Sequence, residues 1–224
     1  FYNIFNEWYA AQTSKKIRAV WQSKASNGKR VSSTVPFGYV KDATDKEKWL
    51  IDEPAAEVVR KIYDLCLAGR GPLQIARILE AEQILIPSAY YESVGRKHSR
   101  KVPINSCRWD QATVVGILEN RQYTGCAVNF KTTTVSYKVH KKIYNEKEDY
   151  QIIPDMQEPI ISEEKWLRVQ ELRENRRRNT ATGKTSLFSC LVYCYDCGAK
   201  LHFCAAKSLN KNQEFFRCAN YKDG

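Results

Sequence analysis

The chain has 224 residues and a formal net charge of +11, from 36 Lys and Arg against 25 Asp and Glu. No apolar run is long enough to span a bilayer and no signal peptide opens the sequence, which argues against a membrane protein and a secreted disulfide framework. An aromatic content of 12% excludes general disorder, and the surplus of positive charge favours a polyanionic partner, nucleic acid, over a merely soluble basic protein. The length suits one large or two small domains, and Phe1 in place of Met suggests an excised piece or a cleaved chain.

Residues 1–27 read as one helix without Pro or Gly, ended by Gly28. Its apolar side changes along the way. Phe1, Ile4, Phe5 and Trp8 make one stripe; Ile17, Val20 and Trp21, with Lys24, make a second that points roughly opposite. One partner cannot cover both, so the first half is expected to pack on a body outside this chain and the second half to face another. The segment NGKRVSSTVPFGYVKD, residues 27–42, is basic and rich in Gly, Ser and Pro, and reads as an extended linker.

A helix is predicted from Asp52 to Leu67, with Asp52 as cap, Pro54 in the first turn, and Val58, Val59, Ile62, Leu65 and Cys66 as its buried stripe. A second runs from Pro72 to Gln83 with Leu73, Ile75, Ala76 and Leu79 inward. Residues 86–107 read as a loop. A third helix lies between Asp110 and Asn120, with Val114, Val115, Ile117 and Leu118 on its apolar side. These helices are expected to bury one core. Beyond Tyr123, GCAVNFKTTTVSYKVHKKI reads as two short strands and EDYQIIP as a further one. A last helix is predicted over 162–178, capped by Ser162, with Trp166, Val169 and Leu172 inward; the run Arg176–Arg178 at its end reads as a solvated tail.

Cys66, Cys107 and Cys126 stand singly and read as small buried hydrophobes of a reducing, cytoplasmic protein. The end of the chain differs. CYDC at 194–197, followed by Gly198 and flanked by strand-like LVY and AKLHF, forms the turn that presents two thiolates to one metal. Cys218 follows at a knuckle-to-knuckle spacing. Tetrahedral zinc needs a fourth donor, which is either a stand-in (Cys190, Cys204 or His202) or lies past Gly224; the second is preferred, since Cys190 and Cys204 fall on the strands beside the knuckle. Buried free thiols are the plain alternative. A dithiol redox site needs a βαβ setting that these flanks lack.

For nucleic acid, three segments stand out. Lys24, Lys29 and Arg30 precede a slender linker, Lys29–Val35, suited to a minor groove. Arg96, Lys97, His98, Arg100 and Lys101 form a basic loop just after Tyr90 and Tyr91. Arg108, Gln111 and Thr113 surround the start of the third helix, which with the second is only HTH-like, since the connection is far longer than a normal turn. Lys131, Lys138, Lys141 and Lys142 on the strands are weaker candidates; His98, His140 and His202 are isolated. For each, a solvated basic surface is the bland alternative.

The order of the parts then carries a resemblance. TSKKIRAVWQSKASNGKR and VPFGYVKD lead into DEPAAEVVRKIYDLCLAGRGPLQIARILEAEQI, then WDQATVVGILENRQYTG, PIISEEKWLRVQELRENRRR and LFSCLVYCYDCGAKL. In this order they resemble the DNA-binding half of the large serine recombinases, the group of phage serine integrases and transposon-excising recombinases. The resemblance implies an α+β multidomain chain. Residues 1–28 would be the connecting helix that helps form the dimer, 29–42 a basic linker, and 43–145 a mainly helical recombinase domain with a small β region. Residues 146–180 would be a helix and linker, and 181–224 the start of a zinc ribbon.

It further implies double-stranded DNA as partner, a dimer or tetramer of the whole protein, and Cys194, Cys197 and Cys218 as three of four zinc ligands. The family breaks and rejoins DNA through a serine nucleophile in an N-terminal domain. No residue here matches that motif, so no catalytic residue is assigned, and Ser14, Ser23 and Ser26 are not candidates. A stand-alone HTH-like regulator with a zinc ribbon, or a zinc-dependent protein-binding module, would be the alternatives.

Overall fold

The structure is a computed structural model that describes the chain except residues 1, 46, 100, 140, 175–183, 185, 190, 207, 219 and 222–224. The expectations for Phe1, Arg100, His140, Arg176–Arg178 and Cys190 therefore lie outside the described residues. The chain divides into two units, residues 1–169 and 170–224, and mixes helices with small antiparallel sheets.

Helix α1, Tyr2–Ser26, is uninterrupted, as its lack of Pro and Gly requires. It ends in a Schellman motif: Gly28 takes φ +67°, its N–H reaches the Ala25 carbonyl at 3.0 Å, and the Lys29 N–H reaches that of Lys24 at 2.9 Å. Both stripes of α1 are exposed, Ile4 and Phe5 most fully, with Trp8, Ile17, Val20 and Trp21.

The core of the first unit gathers around two aromatic strands and three helices. β1 (Tyr39–Lys41) pairs antiparallel with β2 (Trp49–Ile51), Tyr39 opposite Ile51. They bring Tyr39 and Trp49 into one buried cluster with Val59, Ile62 and Tyr63 of α2 (Glu53–Leu67), Ile75 and Leu79 of α3 (Pro72–Ala81), and Val114 and Leu118 of α5 (Gln111–Glu119). Phe37, Trp109, Tyr123, Ile160, Ile161 and Val169 complete it. Residues 37–39 thus belong to the core although they read as the end of a linker. The apolar positions Phe37 and Tyr39 alternate as a strand requires, beneath a composition dominated by turn formers.

The loop between α3 and α5 holds a short helix, α4 (Pro87–Ser93), that the sequence reading missed. Pro87 fits its first turn, and Tyr90 and Tyr91 set their rings edge-on to Phe37. Leu73 is 50% exposed rather than inward. It stands two residues before Ile75, which places it across the helix from the buried stripe. Asp52 and Asp110 occupy the N-cap positions of α2 and α5 without a side-chain cap bond. Ser162 does cap its helix: its hydroxyl accepts from the Lys165 N–H at 3.3 Å.

A 3-10 turn, Arg121–Thr124, leads into two nested hairpins. β3 (Ala127–Asn129) pairs with β6 (Gln151–Ile153), and between them β4 (Thr132–Thr134) pairs with β5 (Lys142–Tyr144). α6 spans Glu163–Glu174, with Val169 buried and Trp166 against the core. In the second unit β7 (Leu201–Cys204) pairs with β8 (Phe215–Cys218).

Candidate nucleic-acid interface and metal centre

The segment that follows α1 is held, not free. The Arg30 side chain is 7% exposed, and its guanidinium lies over the Trp49 ring at 3.3 Å. It donates to the Glu47 carbonyl at 3.0 Å and to the Gln157 side-chain oxygen. Burial pulls its pKa down to about 10. Arg30 is thereby engaged inside the fold, whereas Lys24 and Lys29 before it are exposed, Lys24 within 3.6 Å of Glu47. The amide of Asn129 grips the backbone around Arg30: its oxygen accepts from the Val31 N–H at 3.0 Å and its NH2 donates to the Lys29 carbonyl at 3.1 Å.

The basic loop is fastened at both ends. At its start, Arg96 donates to Asp52 at 2.7 Å, sits 5.7 Å from the Tyr91 ring, and reaches the Tyr39 carbonyl at 3.4 Å. Asp52 also accepts from the Tyr90 hydroxyl at 2.8 Å; burial, followed by this bond, pushes the Tyr90 pKa up to about 12. At the loop's end, the Ile86 N–H bonds the Ser106 carbonyl at 2.9 Å, and the Trp109 indole donates to the Ile84 carbonyl at 2.9 Å. Between these anchors Lys97 and Lys101 are exposed. Arg108 and Gln111 are exposed beside the start of α5, and Thr113 is half-buried.

On the β region, Lys131 is half-buried and donates to the Asn120 side chain at 3.2 Å; burial lowers its pKa. Lys138 pairs with Glu7 of α1, and Lys141 and Lys142 are exposed. The sequence reading missed the uncharged residues that place the cations, Asn129, Gln151 and Gln157, and read Asp52 only as a helix cap. Asn129 carried a signal, since a polar residue directly after Ala127 and Val128 in a buried strand needs a partner there.

In the second unit Cys194, Cys197 and Cys218 come together with their sulfurs all within 4.8 Å of one another, an arrangement that could hold a metal ion. Gly198 turns the knuckle at φ +66°, with its N–H on the Cys194 carbonyl at 2.9 Å, and Cys218 approaches from β8 to put its sulfur 3.4 Å from that of Cys197. Backbone and side chain supply N–H groups to the sulfurs: Asn220 N–H lies 3.4 Å from Cys218 Sγ and its side-chain amide 3.8 Å from Cys197 Sγ. The Ala199 N–H, and then the neighbouring thiols of Cys218 and Cys194, lower the Cys197 pKa. His202 and Cys204, the possible stand-ins, are not part of this cluster among the described residues.

The model of the family described as Recombinase matches residues 53–176. The uncharacterized protein YefB of Bacillus subtilis (strain 168) is 30% identical over 114 residues, 51% of this chain and 36% of YefB. A crystal structure of an LSR–DNA complex aligns with a TM-score of 0.51 at 19% identity, over 91% of this chain and 59% of that one, a likeness of fold. A structure concerned with the sequence requirements of the Listeria innocua prophage attP site aligns with a TM-score of 0.44 at 21% identity, over 91% of this chain and 73% of that one. The chain thus spans 36% of YefB and 59% of the LSR chain, only part of either.

Proposed function

The chain belongs to the Recombinase family, and from that premise we propose that it is the DNA-binding portion of a site-specific serine recombinase that excises or integrates a mobile element. The observation that carries this reading is the basic loop, whose exposed Lys97 and Lys101 stand between two fixed ends. Fixed ends let cations meet a phosphate backbone without ordering a long free loop on binding. Lys24, Lys29 and Arg108 extend the set along the chain. Phosphate contacts supply grip and register; Gln111 and Thr113, at the start of α5, are the side chains suited to base edges. The buried Arg30 and the Asp52-paired Arg96 place the segments that carry the other cations. Strand cleavage and rejoining belong to the whole protein, which works in the cytoplasm as a dimer or tetramer; the exposed Ile4, Phe5 and Trp8 of α1 support self-association. No residue of this chain is assigned to the cleavage step. Among the described residues, no helix is long and apolar enough to cross a membrane.

The cysteine cluster fits zinc. Its donors are soft thiols, clustered closely enough to share one ion at zinc–sulfur distances of about 2.3 Å. The N–H groups aimed at the sulfurs suit the thiolate form that a metal requires. Zinc there would lend folding energy and a rigid surface, not catalysis.

The test is duplex binding by this chain as a function of salt. Affinity for duplexes carrying the mobile element's ends should fall linearly in log–log terms, with about 0.9 of slope for each phosphate contact. Replacing Lys97 and Lys101 by Ala should reduce that slope by about two contacts' worth and weaken all duplexes alike. Binding that ignores salt, or no binding in dilute buffer, would end the reading.

A further inference from the structure

We propose that Arg30 is a positioning residue that fastens the segment Ala25–Val31 to the body of the first unit and so fixes the direction in which α1 leaves it. The proposal deepens the DNA-binding reading, on which its functional meaning rests, although the fastening itself does not depend on DNA.

Three side chains hold this segment to the nested hairpins and their flank. The Gln151 amide donates to the Ala25 carbonyl at 2.8 Å, at the last turn of α1. Asn129 engages the Lys29 carbonyl and the Val31 N–H, one residue on each side of Arg30, as a pairing strand would. Gln157 is set up in advance: its NH2 donates to the Gln122 carbonyl at 2.8 Å and the Cys126 carbonyl at 2.9 Å, which leaves its oxygen to accept from Arg30.

The guanidinium suits this place and an ammonium does not. A planar cation can lie flat on the Trp49 ring at 3.3 Å while its edge donates in two directions, to Glu47 and Gln157. A buried charge without such partners would be expelled. Towards its start α1 is held differently. Among the described residues, the polar contacts there are the exposed pair Lys138–Glu7 and the Tyr137 hydroxyl on Glu7 at 3.2 Å, and midway along, Arg18 reaches the Thr134 carbonyl at 3.5 Å. Exposed pairs of this kind contribute little. The bearing of α1 is therefore set at Ala25–Val31, and a segment that reads as a flexible linker acts as a fixed strap. Lys24 and Lys29 ride on it at defined places.

The experiment is amide hydrogen exchange on this chain, paired with the salt dependence of duplex binding. Arg30→Lys, which keeps the charge, and Asn129→Ala should each speed exchange of the Val31 amide by about tenfold or more while the Ile62 amide in α2 stays protected. Duplex affinity should fall in both with the salt slope unchanged, because no phosphate contact is lost. Unchanged protection of Val31 in Arg30→Lys would overturn the proposal. So would a slope lower by about 0.9 in Arg30→Ala with Val31 still protected, which would make Arg30 a phosphate contact. If Arg30→Lys loses protection at Ile62 as well, Gln157→Ala, which removes the oxygen that accepts from Arg30, decides the same comparison. If the wild-type chain binds no duplex, the exchange result still decides the strap, and only the DNA reading fails.

Discussion

Gly125 sits where no side chain fits. Its φ is +88°, and a Cβ there would lie 2.8 Å from the Gln157 carbonyl oxygen, a backbone atom that cannot move aside alone. Its own carbonyl accepts from the N–H groups of Met156 and Gln157, so the close approach is what joins the end of the 3-10 turn to the stretch before α6. Gly125→Ala should destabilise the first unit by about 2–4 kcal/mol, adding a left-handed backbone penalty to overpacking, read as a lower denaturant midpoint. The buried tyrosines follow a related logic. The Tyr39 hydroxyl donates to the Glu158 carbonyl at 2.7 Å and that of Tyr123 to the Phe37 carbonyl at 2.8 Å, so each ring fills the core while its oxygen satisfies a loop carbonyl. Burial raises the pKa of both, which keeps these hydroxyls protonated donors at any physiological pH.

Between elements, Asp52 does the work of a clasp. It occupies the N-cap position of α2 but gives its carboxylate to Tyr90 and Arg96, tying α4 and the start of the basic loop to the helix. Asp52→Asn keeps the shape and removes the charge. It should lower stability by about 1–2 kcal/mol, a charge-assisted bond discounted for the part-exposed Arg96, and should open residues 97–105 to proteolysis. The long helices were legible because their apolar residues repeat at helical spacing and their ends carry Gly, Pro or Ser. α4 and the β1–β2 hairpin were not. Both are short, and what holds them lies far off in the sequence: Phe37 and Asp52 for α4, and Tyr123 and Glu158, which Tyr39 stacks on and bonds to, for the hairpin. The candidate cations were legible as charge, but the sequence does not separate Arg30, buried against Trp49, and Arg96, paired with Asp52, from the exposed Lys97 and Lys101. That distinction depends on which neutral residues lie opposite. The cysteine cluster was legible almost whole, since two of its three cysteines share one turn.

At the scale of the molecule, on the zinc reading proposed above, the two units would draw on separate sources of stability. The first holds the aromatic and aliphatic core, and the three clustered cysteines all lie in the second. A strong chelator should therefore destabilise the second unit and leave the unfolding transition of the first in place, checked by following tryptophan fluorescence of the first unit and thiol reactivity of the second. The metal's hold should weaken as pH falls, because protons compete for the thiolates. One feature of the first unit reaches further. Because β3 and β6 close a base on which β4 and β5 form an outer loop, the chain between Asn129 and Gln151 can change in length without disturbing the buried layer beneath. The entropy of closing such an excursion grows only slowly with its size. Descendants of this fold are free to lengthen, shorten or redecorate that projection, trying new reach against a target while the foundation stays the same.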